Sequence, residues 1–262
     1  MQSLKQTFIY GDEKTGVLGG IKKTGRSAEE LEDLWADVEA FASYGFNKSH
    51  AAAYSMVTII EAWLFTNYPE YFAAADLNKV GGDQKTTERE ALHAMIEFYK
   101  SRGLDIRPVD INISEDEFVA DNGAVYFGLN KVSNVASAAE RISNERKARG
   151  EFKNLYDFLS RMQRNHEKGV NKSVLKSLIV SGGFDNFSGT RKDKLEKLED
   201  LSNLGKILKA NESIIFDKYG ESYFDTWMNY KNEEMDIQAL LAEEKRVTSF
   251  YISGHQTEKY LS

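Results

Sequence analysis

Apolar residues recur at helical spacing along most of this chain and alternate only briefly, a pattern that predicts a mainly α-helical fold. The first strong signal is Ser27 followed by Glu30, a capping box, after which Leu31, Leu34, Val38, Phe41 and Ala42 mark the inner face of a helix ending near Gly45. Ser49 is placed to cap the next helix. Tyr54, Val57, Ile60, Trp63 and Leu64 give that helix a broad apolar face running up to Tyr68-Pro69. Pro69 opens a further short helix, which Gly81-Gly82 ends. Lys85 to Arg102 reads as another amphipathic helix, with Ala91, Met95, Phe98 and Tyr99 inward and Gly103 as its stop. Met1 to Arg26 has glycines and mixed polarity without a clean period and is expected to be loosely ordered.

Between Ile106 and Phe127 the period shortens. Phe118-Val119 and Val125-Tyr126-Phe127 flank Asp121-Asn122-Gly123, a strong β-hairpin signal. From Phe152 to Phe184 a helical unit is expected to bury Leu155, Phe158, Leu159, Val174, Leu175, Leu178 and Ile179 and to end at Gly182-Gly183. Thr190 to Tyr219 reads as one long charged amphipathic helix, followed by an aromatic-rich segment from Tyr223 to Tyr230.

At 262 residues the chain has room for one or two domains with real cores. The formal net charge of −7 argues against nucleic acid, but the average hides a segregation. Between Ala124 and Lys176 eleven lysines and arginines face five carboxylates, a balance of +6 and the footprint expected of local phosphate contact. A solvated, lysine-rich helical face is the alternative. Cysteine is absent and the four histidines stand far apart, so neither disulfides nor a zinc site is expected. No apolar run of transmembrane length and no secretory pattern is present, which places the expected protein in the cytoplasm, away from membranes.

The densest chemistry lies in Gly45-Phe46-Asn47-Lys48-Ser49-His50-Ala51-Ala52-Ala53-Tyr54-Ser55. A glycine is followed by a polar cluster at a helix start, where free backbone N–H groups, an ammonium and an imidazole all attract anions. An ordinary helix start with solvated polar residues is the other reading. Tyr54, one turn in, suits either stacking and steric gating or a place in the core.

The words around this cluster resemble the alpha subunit of bacterial DNA polymerase III, the C-family replicative polymerases. They are Tyr44-Gly-Phe-Asn-Lys-Ser-His-Ala-Ala-Ala-Tyr54, Ala62-Trp63-Leu64, Tyr68-Pro69-Glu70-Tyr71-Phe72 and Arg107-Pro108-Val109-Asp110-Ile111-Asn112, in that order. They continue with Tyr126-Phe127-Gly128-Leu129, Phe152-Lys153-Asn154-Leu155-Tyr156-Asp157-Phe158, Val170-Asn171-Lys172 to Gly183-Phe184-Asp185, and Ser249 to His255. The resemblance implies a helical fingers segment over 1–104, connecting strands over 105–127 and a tandem helix-hairpin-helix module over 128–186. A helical connector over 187–262, with a long C-terminal helix, would lead toward an oligonucleotide-binding domain.

The resemblance further implies a fragment of a DNA-directed DNA polymerase, a nucleotidyltransferase of DNA replication. Asn47, Lys48, Ser49, His50 and Tyr54 match residues facing the incoming deoxynucleotide. Lys131, Ser133, Asn134, Arg141, Arg146, Lys147 and Arg149 match the module that tracks duplex primer-template DNA without reading its sequence. The expected partners are this DNA, the nucleotide and the remainder of the polymerase with its palm and oligonucleotide-binding domains. The palm carboxylates that hold Mg²⁺ in a complete polymerase have no counterpart here and would precede Met1, so no cofactor and no activity are expected of the chain alone. One departure stands out. Where the family has a Gly-hydrophobe-Gly hairpin this chain has Asn134-Val135-Ala136, and Ala136 resists the left-handed backbone a glycine would take, which sets the sequence against phosphate contact there. A stand-alone DNA-binding protein, or one engaging a replication complex without polymerase activity, is the alternative function.

Overall fold

The computed structural model describes residues 2–43, 48–80, 86–210 and 221–254. The chain divides into two compact units, Met1–Trp63 and Leu64–Ser262.

In the first unit the stretch expected to be loose is structured. Helix α1 (Gln2–Tyr10) leads into a two-strand ribbon, β1 (Gly11–Asp12) antiparallel to β2 (Val17–Leu18), and then into α2 (Gly20–Thr24). These elements are too short to print a period on the sequence, which is why they were invisible to it. The crossing is close. A Cβ on Gly19 would lie 2.2 Å from the Tyr10 carbonyl carbon, so only glycine fits there. Helix α3 (Ala28–Ser43) begins at the anticipated capping box, with Ser27 N–H on Glu30 Oε2 at 2.9 Å and Glu30 N–H on Ser27 Oγ at 3.2 Å. Its inner face differs from expectation. Leu31 is buried with Ile9, whereas Leu34, Val38 and Phe41 are exposed, Phe41 at 79%. Helix α4 (Lys48–Asn67) follows, and the boundary between the two units falls within it. Tyr54, Val57, Ile60, Trp63 and Leu64, the apolar face read from the sequence, are likewise exposed. Its apolar residues run around the whole helix rather than along one stripe, so the sequence defines no single face to bury.

In the second unit Pro69 occupies the first turn of α5 (Pro69–Lys79), as expected of its fixed φ. Gly81-Gly82 lie outside the described residues. Helix α6 (Thr86–Ser101) buries Tyr99, as expected, together with Leu92 and Ile96; Ala91 and Phe98 face outward and Met95 is half-buried. Gly103, at φ 85°, ends this helix.

The predicted hairpin forms. Strand β4 (Val119–Asp121) pairs antiparallel with β5 (Ala124–Tyr126) through Asn122 and Gly123, both at positive φ. A third strand, β3 (Asp105–Arg107), opens the stretch expected to hold connecting strands and pairs parallel to β5. Amide side chains that imitate a strand fix the segments around this sheet. Asn78 exchanges two bonds of 2.9 Å with the Phe118 backbone, and Asn112 two of 2.8 Å with that of Phe152.

After a 3-10 turn (Leu129–Lys131) come α7 (Ala136–Arg149), α8 (Leu155–Arg164) and α9 (Lys172–Val180). All seven predicted core residues of 152–184 are buried. Each removes enough apolar area to stabilise the fold by roughly 1.5–3 kcal/mol. Edge-to-face contacts of Phe158 with Phe152 (5.1 Å) and Phe184 (5.0 Å) run through this core. Asn154 and Asn171 cap α8 and α9. The single long helix expected from Thr190 is interrupted at Lys197 into α10 (Arg191–Glu196) and α11 (Leu198–Lys209), and its far end lies outside the described residues. Helices α12 (Glu221–Met228) and α13 (Ile237–Thr248) complete the unit.

Candidate nucleic-acid interface

In the first unit, Asn47 lies outside the described residues. Lys48 opens α4, so Ser49 sits inside the helix at its second position instead of capping it. His50 and Tyr54, four residues apart, stand on one face with ring centroids 4.4 Å apart. Tyr54 is 63% exposed, which excludes the core reading for this unit.

The second candidate site is the turn before α7. Asn134 takes φ 68°, the left-handed conformation a glycine would supply, and its Nδ2 donates to Ser177 Oγ of α9 at 3.2 Å. Ala136 is already helical and needs no such freedom, so the objection raised by its identity disappears. Two hairpin amides are committed: Ser133 N–H donates to the Val247 carbonyl at 2.7 Å, and Val135 N–H to that of Val132 at 3.0 Å. Among the described residues no acceptor meets the N–H groups of Asn134, Ala136 or Ser137, which open a 14-residue helix. They form a concave group of donors at the positive end of a dipole. Arg141 lies just over one turn further on, its Nη1 on the Ser137 carbonyl.

The basic residues separate into distinct roles. Arg146 is buried and spends its guanidinium on the carbonyls of Ile111 (2.7 Å), Ser114 (2.8 Å) and Ile113 (3.3 Å) and on Glu115 (2.9 Å), which removes it from the DNA-facing set. Lys131 is nearly buried beside Glu117 at 3.2 Å. Lys147 and Arg149 are exposed at the far end of α7, paired with Glu115 and Glu145. That end lies about 20 Å from the first turn at 1.5 Å per residue, so neither residue shares a phosphate with the hairpin. The +6 surplus is also offset from outside its own span, since Glu115, Glu117, Glu199 and Glu243 pair with Arg146 and Lys147, Lys131, Lys172 and Lys176. Arg141, Lys153 and Lys168 form no ion pair among the described residues.

Sequence reasoning missed the carboxylate that joins α7 to α8. Glu145 is buried and receives Arg161 Nε (3.1 Å), Arg149 Nη1 (2.6 Å), Asn165 Nδ2 (3.2 Å) and His166 Nε2 (3.0 Å). Burial opposes its ionisation, yet hydrogen bonds from Arg161, His166 and Asn165 and the charge of Arg149 outweigh that and hold its carboxyl below the ordinary glutamate value. The only sequence signal was a glutamate among arginines, which reads equally well as a solvated helix face. Among the described residues no three His, Asp or Glu side chains are placed to hold a metal. None of the helices described is long and apolar enough to cross a membrane.

A 3-10 turn and α7 around a tight turn, with open amides at the helix start and the α8–α9 pair after it, fit a helix-hairpin-helix module, and the family model described as a helix-hairpin-helix motif matches residues 103–194. Beyond that module, nearly the whole chain is similar to DNA polymerase III subunit alpha. The Campylobacter jejuni protein is 32% identical over 256 residues, covering 94% of this chain and 21% of that protein. The Borreliella burgdorferi protein is 33% identical over 255 residues (94% and 21%), and that of Deinococcus radiodurans 36% over 274 residues (99% and 19%). The chain is therefore a relative of one section of the DNA polymerase III alpha subunits, and it spans about a fifth of the length of the curated relatives it matches.

Proposed function

We propose that this chain is a section of a DNA-directed DNA polymerase of the alpha-subunit type, acting in DNA replication by holding duplex primer-template DNA through its backbone and presenting fingers residues to the incoming deoxynucleotide. The observation that carries the DNA reading is the start of α7, where three uncommitted amides and Arg141 stand together in a helix-hairpin-helix module. Backbone amides and one guanidinium suit phosphate oxygens and carry no sequence information. Lys48, His50 and Tyr54, with Asn47 and Ser49, are the proposed nucleotide-facing set. In this reading residues 1–104 belong to the fingers, 105–127 connect, 128–186 hold duplex DNA, and 187–262 lead onward. The remainder of the polymerase supplies the palm and its metal-holding carboxylates, so primer extension is not a property of this section by itself.

Duplex binding tests the reading directly. Anisotropy titrations with two unrelated duplexes of equal length should give equal affinities that fall with salt. Arg141→Ala should lower affinity for both and reduce the salt slope by about 0.9. Absence of binding at low salt, or a marked preference for one sequence, would overturn it.

A further inference from the structure

The C-terminal turn of α13 reaches the hairpin from more than a hundred residues away. Val247 lies in the last turn of that helix, where carbonyls have no partner within the helix, and its oxygen accepts the Ser133 N–H at 2.7 Å. The helix end is held by Glu244, one turn earlier. Its carboxylate is fully buried and accepts Ile252 N–H (2.8 Å), Ser253 N–H (3.0 Å) and Ser253 Oγ–H (2.6 Å), with Arg191 Nη1 at 3.4 Å. The turn it grips runs through Ser249, at φ 68°, and places Phe250 against Phe127 (5.5 Å) and His93 (6.0 Å).

The same anchor reaches the hairpin by a second route. Arg191 also binds both Asp185 oxygens (Nε to Oδ1 2.9 Å, Nη2 to Oδ2 2.6 Å) and the Val180 carbonyl (2.9 Å) at the end of α9. It is α9 that carries Ser177, the partner of Asn134. Ser133 and Asn134 are thus braced from two helices that Glu244 and Arg191 tie together.

We infer that Glu244 is a positioning residue for the DNA-facing hairpin: by fixing the turn after α13 it holds the Val247 carbonyl on Ser133 N–H, which leaves Asn134, Ala136 and Ser137 as the amides offered to phosphate. This rests on the DNA reading above. It assigns 237–253 the work of a brace on the hairpin, over and above any role in leading to another domain.

Amide exchange followed by NMR tests the brace without DNA, and duplex titration tests its consequence. In the unaltered chain Ser133 N–H should exchange slowly. Glu244→Ala should speed Ser133 exchange by at least about tenfold while α8 and the β4–β5 hairpin keep their rates, as local opening requires. The same variant should weaken duplex binding several-fold and flatten its salt dependence. Glu244→Gln keeps an acceptor for the Ile252 and Ser253 amides and should restore most of both; Ser253→Ala should give a smaller shift in the same direction and serves if Glu244→Ala does not fold. Fast Ser133 exchange in the unaltered chain, or unchanged exchange and affinity in the variants, would sink the inference. A chain that protects Ser133 yet binds no duplex would instead overturn the DNA reading of the hairpin.

Discussion

Arg146 and Glu115 form an ion pair of 2.9 Å that closes a buried fork: the other donors of the same guanidinium hold the carbonyls of Ile111, Ile113 and Ser114. The loop over 110–117 is thereby held onto α7, where Ser143 and Lys147 also reach Glu115. Arg146, in the last turn of the basic helix, is a structural part of the module.

Arg146→Ala should therefore act on folding. It leaves the carbonyls of Ile111, Ile113 and Ser114 short of a donor, while part-exposed Glu115 keeps Lys147 and Ser143, a loss of about 1–3 kcal/mol. Arg146→Lys should recover little, because an ammonium cannot span the same fork of acceptors. Urea unfolding reads both, and a variant as stable as the unaltered chain would contradict this placement. Arg141→Ala should leave the urea midpoint unchanged.

Much of the module was legible before its structure. Phe158 and Leu178 lie on helices whose apolar spacing admits one inner face, and Asn122-Gly123 sits where only a tight hairpin uses that pair. The failures share a cause. Arg146 and Arg149 stand three apart on one helix, and nothing local says that the first meets a loop and the second meets water. On α6 Tyr99 was read inward correctly, but Ala91-Met95-Phe98 and Leu92-Ile96 fit the helical period beside it equally, so which of them is buried was decided by neighbours in space. The pairing of β3 with β5 and the bond from Ser133 to Val247 join distant residues and leave no periodic trace at all.

Stability at acid pH should report the Glu145 hub. Its carboxyl is held below the ordinary value of 4.5. A depressed carboxylate contributes stability that is fully present above its unfolded value and is lost as pH falls through the folded one. Unfolding free energy should thus decline on acidification below that value, with Glu115 and Asp193 adding in the same sense because their carboxyls are also held low. Asp110 and Asp116, whose carboxyls burial raises, oppose it by binding protons in the folded state at higher pH. Glu145→Gln should be less stable at neutral pH and show a flatter acid limb. An acid limb of unchanged steepness would exclude Glu145 as a contributor.

The hairpin separates two glycine substitutions that the sequence alone would group together. At Asn134, already left-handed, glycine removes strain and a side chain near the open amides but gives up the bond to Ser177. Asn134→Gly should change stability by less than about 1 kcal/mol and tighten duplex binding. At Ala136 the backbone is helical, so Ala136→Gly should cost up to about 1 kcal/mol and gain no affinity. Melting curves beside duplex titrations distinguish them, and a gain in affinity from Ala136→Gly would show that the loop is held back from DNA at that position after all.

The fingers reading makes a kinetic prediction for a polymerase assembled around this section. Lys48 is the first residue of α4, where the helix dipole favours a triphosphate. Replacing it by alanine should raise KM for all four nucleotides or lower kcat, since a charge-assisted contact of about 1.5–3 kcal/mol is removed. His50 and Tyr54 follow it two and six residues on and share a face with each other, their rings in contact, with Tyr54 open to solvent in its own unit. A tyrosine there faces a base or sugar more readily than a phosphate. Tyr54→Phe should accordingly leave KM nearly unchanged while Tyr54→Ala should lower kcat/KM and the discrimination between correct and mispaired nucleotides. The contrast between Lys48 and Tyr54 is the decisive feature: a solvated helix start predicts no effect from either, and a general weakening of the fingers predicts the same loss from both. Only nucleotide contact predicts a phosphate-type defect at Lys48 and a selectivity defect at Tyr54, read from single-turnover incorporation of matched and mismatched nucleotides.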